Sequence, residues 1–107
     1  MRNTQLESQI QTQICHYLTL KKYFFWRNNT TGIYDPTKKV FRRMSAFAMA
    51  GVSDILLLKD GLLVCIEVKR PKGIQSEHQK EFEKLVKANG GVYLIATSID
   101  DIINYGL

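Results

Sequence analysis

One hundred and seven residues of 12.3 kDa leave room for one domain, spanning residues 1–107, because single domains most often run to about 100–150 residues. Hydrophobic residues at 45% and charged residues at 23% are ordinary globular usage, and the apolar runs, Ile55 to Leu58 and Leu62 to Ile66, fall far short of the ~18 residues a membrane span needs. Fifteen Lys and Arg against ten Asp and Glu leave a net charge of +5, which suits an acidic partner without naming one.

In chain order, Leu6, Ile10, Ile14, Tyr17 and Leu18 recur at steps of three and four, the spacing of one helical face. Thr4 followed by Glu7 matches a capping box, so the helix is expected from Thr4 to about Leu20. Tyr23 to Trp26 suit a strand, and Phe24, Phe25 and Trp26 are read as core rather than as base-stacking platforms, because they are contiguous and would point to both of its faces. From Arg27 to about Ala50 the pattern weakens into a long loop or short hairpin carrying Lys38, Lys39, Arg42 and Arg43.

Ile55 to Lys59 and Leu62 to Lys69 flank Asp60-Gly61, a strong signal for a two-residue hairpin turn. Arg70-Pro71-Lys72-Gly73 stops the second strand. Ser76 with Gln79 repeats the capping-box pattern, and Phe82, Leu85 and Val86 give the next helix an apolar face that ends at Asn89-Gly90-Gly91. Val92 to Ala96 reads as a buried strand, and Ser98 with Asp101 as the cap of a short last helix. Cys15 and Cys65 both sit in apolar segments and imply no disulfide framework. The N-terminus shows no signal-peptide pattern, and an intracellular compartment is expected.

The hairpin register brings three polar residues together. Counting outward from the turn, Lys59 faces Leu62 and Asp54 faces Glu67, with Cβ atoms about 4.5–5.5 Å apart. Lys69, two residues beyond Glu67, emerges on the same face. Like charges so placed destabilise a sheet unless something offsets them, and a hard cation held by oxygen ligands, Mg²⁺ or Mn²⁺, would do so. Such an ion with a neighbouring ammonium is equipment for phosphodiester hydrolysis. The plainer reading is that Asp54 caps a loop and Glu67 with Lys69 forms a solvated ion pair. Lys38, Lys39, Arg42, Arg43, Arg70 and Lys72 are the candidate contacts for nucleic-acid phosphates, joined by Arg27, and the plainer reading of these is a solvated loop.

Gly51-Val52-Ser53-Asp54, the spacing to Glu67-Val68-Lys69 and the following Pro71 resemble the core motif of the PD-(D/E)XK nuclease superfamily. Within it, residues Gly51 to Gly91 resemble the VRR-NUC family, including Gln79 in the next helix and the Gly-Gly before the last strand. Ser53 stands where many relatives have proline. The resemblance implies an α/β fold with a restriction-endonuclease-like core, a mixed central sheet flanked by helices in the order α-β-β-β-α-β-α. It implies that Asp54, Glu67 and the Val68 carbonyl bind Mg²⁺ or Mn²⁺, that Lys69 orients water or stabilises charge, and that Gln79 lies at the active-site edge. Glu7 would approach the metal from the first helix, although its capping position explains it equally well, and Gln79 has the same ambiguity. The family resemblance further implies a structure-specific DNA endonuclease. Its short stand-alone members, of phages and bacteria, resolve four-way junctions as homodimers, with no small-molecule cofactor and no membrane. A non-catalytic nucleic-acid-binding module is the rival reading, because it would keep the basic loop without needing Asp54, Glu67 and Lys69 together.

Overall fold

The computed structural model describes residues 6–28, 34–35, 40–41 and 47–107. Its elements are α1 (Glu7–Leu20), β1 (Phe24–Arg27), β2 (Tyr34–Asp35), β3 (Val40–Phe41), β4 (Ile55–Lys59), β5 (Leu62–Val68), α2 (Glu77–Ala88), β6 (Val92–Ala96) and α3 (Ile99–Tyr105). A four-stranded sheet runs in the order β1-β4-β5-β6, and β2 pairs with β3 apart from it. β1, β4 and β5 are antiparallel neighbours, while β6 lies parallel to β5. A parallel return needs a long crossover, and α2 supplies it. The expected mixed sheet and element order are present, with β2 and β3 forming a short hairpin inside the expected loop. Lys38, Lys39, Arg42 and Arg43 lie outside the described residues.

The turn residues Asp60 and Gly61 have φ of 52° and 79°, the left-handed pair that a two-residue hairpin of this twist requires. That turn sets Lys59 opposite Leu62 and Ile55 opposite Ile66, the register the sequence predicts. β5 is buried continuously from Val64 to Val68 because helices cover both of its faces. On one face, Ile10, Ile14 and Leu18 of α1 pack with Ile55, Leu57, Ile66 and Ile102. On the other, Phe82 and Val86 of α2 close over Leu56, Cys65 and Tyr93. Cys15 packs against the first core and Cys65 lies in the second, and both are free thiols.

Four local expectations need correction. First, the residue capping α1 is Leu6, with Gln9 Oε1 accepting from its N–H at 2.9 Å, so Glu7 is the first helical residue and has no capping task; Thr4 lies outside the described residues. Second, Ser98 makes no side-chain cap on α3. Asp101 Oδ2 accepts instead from the Thr97 N–H at 2.8 Å and the Thr97 hydroxyl at 3.0 Å. Third, Leu85 stays exposed, because only Phe82 and Val86 of α2 reach the sheet. Fourth, the aromatics of β1 split by face. Phe25 packs on the α1 core, whereas Phe24 is 65% and Trp26 42% exposed, because the core under α2 takes its strand side chains from β4, β5 and β6 and none from β1. Among the described residues, no helix is long and apolar enough to cross a membrane.

Candidate active site

The site is a row of side chains across three strands. The β4–β5 register continues one step beyond the Ile55–Ile66 pair, setting Asp54 opposite Glu67. The β1–β4 register continues likewise beyond the Arg27–Ile55 pair, and the Asn28 N–H donates to the Asp54 carbonyl at 2.9 Å. Asn28, Asp54 and Glu67 therefore share the α2 face of the sheet. The Val68 N–H donates to Asp54 Oδ2 at 2.8 Å, which fixes the carboxylate against the end of β5. In an extended strand the N–H and C=O of one residue point to the same side, so the Val68 carbonyl faces Asp54 as well.

Glu67 is only 2% exposed. Its Oε2 accepts from Gln79 Nε2 at 2.9 Å and lies 3.7 Å from Lys69 Nζ, while its Oε1 is buried without a partner. Burial pushes the carboxyl up to about 8, helped by the charge of Asp54 and a hydrogen bond to it; Lys69 pulls the other way, and Glu7 adds a smaller upward push. Two carboxyls this close do not both ionise readily, which favours the protonated form of buried Glu67.

Gln79 resolves its ambiguity by performing both tasks. Its Oε1 accepts from the Ser76 N–H at 2.9 Å to close the capping box, and its Nε2 grips Glu67. The grip depends on Gly51, whose φ is +79° and where a Cβ would stand 2.3 Å from the His78 carbonyl oxygen. Only glycine lets the loop before Asp54 press so closely on the first turn of α2. His78 itself is exposed.

Glu7 lies near enough for its charge to reach Glu67, but its Oε2 accepts from the Arg70 N–H at 3.3 Å. Among the described residues, no three His, Cys, Asp or Glu side chains are grouped to hold one ion. The candidate centre therefore has two carboxylates, Asp54 and Glu67, with the Val68 carbonyl beside them. That donor set suits Mg²⁺, which is commonly held by one or two carboxylates plus waters and substrate phosphate oxygens. Among the described residues, Glu67 Oε1 is a buried oxygen of the site that lacks a counterpart. Arg70 and Lys72 are exposed in the turn after β5. Arg27 alternates away from Trp26 and Asn28 to the α1 side, where its charge acts on Cys15, so it does not join the site.

Asn28 is the residue that sequence reasoning missed. Its Nδ2 is buried and without a partner, a second unmatched polar atom in the same row as Glu67. Its place follows only from the register between β1 and β4, which are separated by the long segment and share no turn. A link from Asn28 to Asp54 therefore had no local sequence signal.

No family model and no curated protein matches the chain. Among solved structures, a VRR_NUC domain protein superposes with a TM-score of 0.68, covering 96% of this chain and 86% of the other at 20% identity. The fold is that of a VRR-NUC domain. Matched in fold over nearly its whole length, the chain carries Asp54, Glu67 and Lys69 at the ends of its two central strands and Gln79 in the first turn of α2.

In metal-free protein, the folded state keeps the Glu67 proton between about pH 4.5 and 8 whereas the unfolded state has released it. Stability therefore falls as pH rises through that window. Denaturant titrations should show the Glu67→Gln variant gaining on the wild type from pH 5 to pH 8, and parallel curves would refute the proton on buried Glu67. Replacing Gly51 with alanine should cost about 1–3 kcal/mol in the same assay, through both the positive φ and the clash with α2.

Proposed function

We propose that this chain is a divalent-metal-dependent DNA endonuclease, a single nuclease domain that cuts branched DNA such as four-way junctions as a homodimer. The supporting observation is half-buried Asp54 opposite fully buried Glu67, the latter gripped by Gln79 and flanked by Lys69, on a VRR-NUC fold. Two opposed carboxylates with one unpartnered buried oxygen are costly unless a cation joins them.

Asp54, Glu67 and the Val68 carbonyl would hold Mg²⁺ or Mn²⁺. Bound there, the ion supplies a polarised phosphoryl oxygen and a water of lowered pKa. The protein's own groups do the rest. The Val68 N–H and Gln79 Nε2 each take one carboxylate oxygen, which orients the remaining oxygens toward the space between the strands. Lys69, its side chain 12% exposed, presents its ammonium at the rim, where it orients the attacking water and offsets charge that builds on the phosphate. Glu7, held by the Arg70 N–H, adds negative charge from the far side without a direct ligand role. In-line attack leaves a 5′-phosphate and a 3′-hydroxyl.

Arg70 and Lys72, with Lys38, Lys39, Arg42 and Arg43, are proposed to hold the DNA backbone, a contact that carries no base specificity. Paired nicks across a junction call for two sites related by a two-fold axis, which a dimer of identical chains supplies. The same reading would put this activity in the cytoplasm of a bacterium or of a phage's bacterial host.

The test is cleavage of four-way junction, flap and linear duplex DNA with Mg²⁺, Mn²⁺ or EDTA. The wild type should cut the junction with either metal and be silent in EDTA, and Asp54→Ala and Lys69→Ala should lose about 100- to 1,000-fold in rate. Variants that cut like the wild type, or cutting in EDTA, would leave a binding module in place of an enzyme. Sedimentation at micromolar protein should give a dimer, and a monomer that still makes paired symmetric nicks would remove the two-fold argument.

A further inference from the structure

We propose that Phe24 and Trp26 form a stacking platform for unpaired nucleobases beside the cleaved phosphodiester, an inference that rests on the nuclease reading and narrows its substrate to DNA with bases freed from the duplex. The two rings lie on the exposed face of edge strand β1, 5.7 Å between centroids and tilted by 44°. They are 65% and 42% exposed, in a four-stranded sheet whose other aromatic side chains, Phe25 and Tyr93, pack against the cores.

Their place relative to the site follows from the pleat. Phe24, Trp26 and Asn28 alternate onto one face, and the last of these stands in the row with Asp54 and Glu67. Trp26 is thus about 7 Å along the strand from that row and Phe24 about 14 Å. A strand of DNA with its phosphate at the carboxylates would carry a neighbouring base over these rings. Exposed Lys21 and Lys22 precede β1, which puts positive charge at the outer end of the aromatic line. Interleaved aromatics and cations are the combination that binds single strands, with stacking to the bases and ammonium groups to the backbone.

The size of the patch argues against a protein partner. At these exposures the two rings offer roughly 200–300 Å², whereas a stable interface needs about 800 Å² from each side. A base or two fits that area.

Trp26 is the only tryptophan of the chain, so its fluorescence reports on the platform directly. The experiment titrates the full chain at fixed salt, in EDTA, with an oligothymidine single strand and with a blunt duplex of equal length. The single strand should quench Trp26 more strongly than the duplex. Phe24→Ala should weaken binding of the single strand by about 5- to 150-fold, with Phe24→Tyr restoring it. An unquenched tryptophan, or Phe24→Ala binding both DNAs as the wild type does, would overturn the platform. So would a change from dimer to monomer in Phe24→Ala, because the rings would then belong to an interface between copies. Reading in EDTA separates this proposal from the one beneath it. Quenching without any metal-dependent cleavage would refute the nuclease and keep the platform, and cleavage without quenching would refute the platform alone.

Discussion

Two carboxylates face each other across a pair of antiparallel strands, half-buried Asp54 opposite a Glu67 that water scarcely reaches. The repulsion between Asp54 and Glu67 is the constraint to which the surrounding structure answers. Without a cation the pair is tolerable only by keeping Glu67 protonated and by collecting donors. The Val68 N–H, Gln79 Nε2 and Lys69 Nζ are those donors, drawn from the end of β5 and the start of α2. Gln79 and Lys69 both address Glu67 Oε2 and the Val68 N–H serves Asp54, so Glu67 Oε1 keeps no partner among the described residues. A site that spends this much local stability is arranged for something that arrives later.

The rest of the domain divides the labour by sheet face. The α1 and α3 side is a continuous aliphatic core that holds the strands in register. The α2 side has a smaller core, and at its edge the polar row begins. One consequence is that α2 must dock accurately at its N-terminus, since Gln79 serves both as helix cap and as the grip on Glu67. Gly51 provides that accuracy by letting the loop before Asp54 touch the His78 backbone. The loop, the helix start and the two strand ends form one mechanical unit. Strand β1 lies outside the cover of α2, and its outer rings are left free for a ligand.

Local signals made much of this legible. Asp60-Gly61 determined a register, and the register alone placed Asp54 opposite Glu67. Ser76 and Gln79 announced the start of α2, and Gly90-Gly91 its end, where the Gly91 N–H reaches the Val86 carbonyl at 2.9 Å. What stayed hidden depended on contacts between segments far apart in sequence. The β1–β4 pairing decides that Asn28 joins the row and that Arg27 points away from it, yet no short turn connects those strands. The exposure of Phe24 and Trp26 follows from how far α2 extends over the sheet, which no periodicity within β1 encodes. Glu7 is ambiguous in the sequence because Thr4 with Glu7 matches a capping box, whereas leucine at the actual cap carries no such signal; Gln9 takes the Leu6 N–H and leaves Glu7 for Arg70.

The central claim is that Asp54 and Glu67 are held together to share a divalent cation. Anomalous diffraction from crystals grown with Mn²⁺ tests it most directly. The account predicts one strong manganese peak between the two carboxylates and beside the Val68 carbonyl, lost in Glu67→Gln crystals. Crystals of the wild type grown with Mn²⁺ at pH 8 that show no peak there would contradict it.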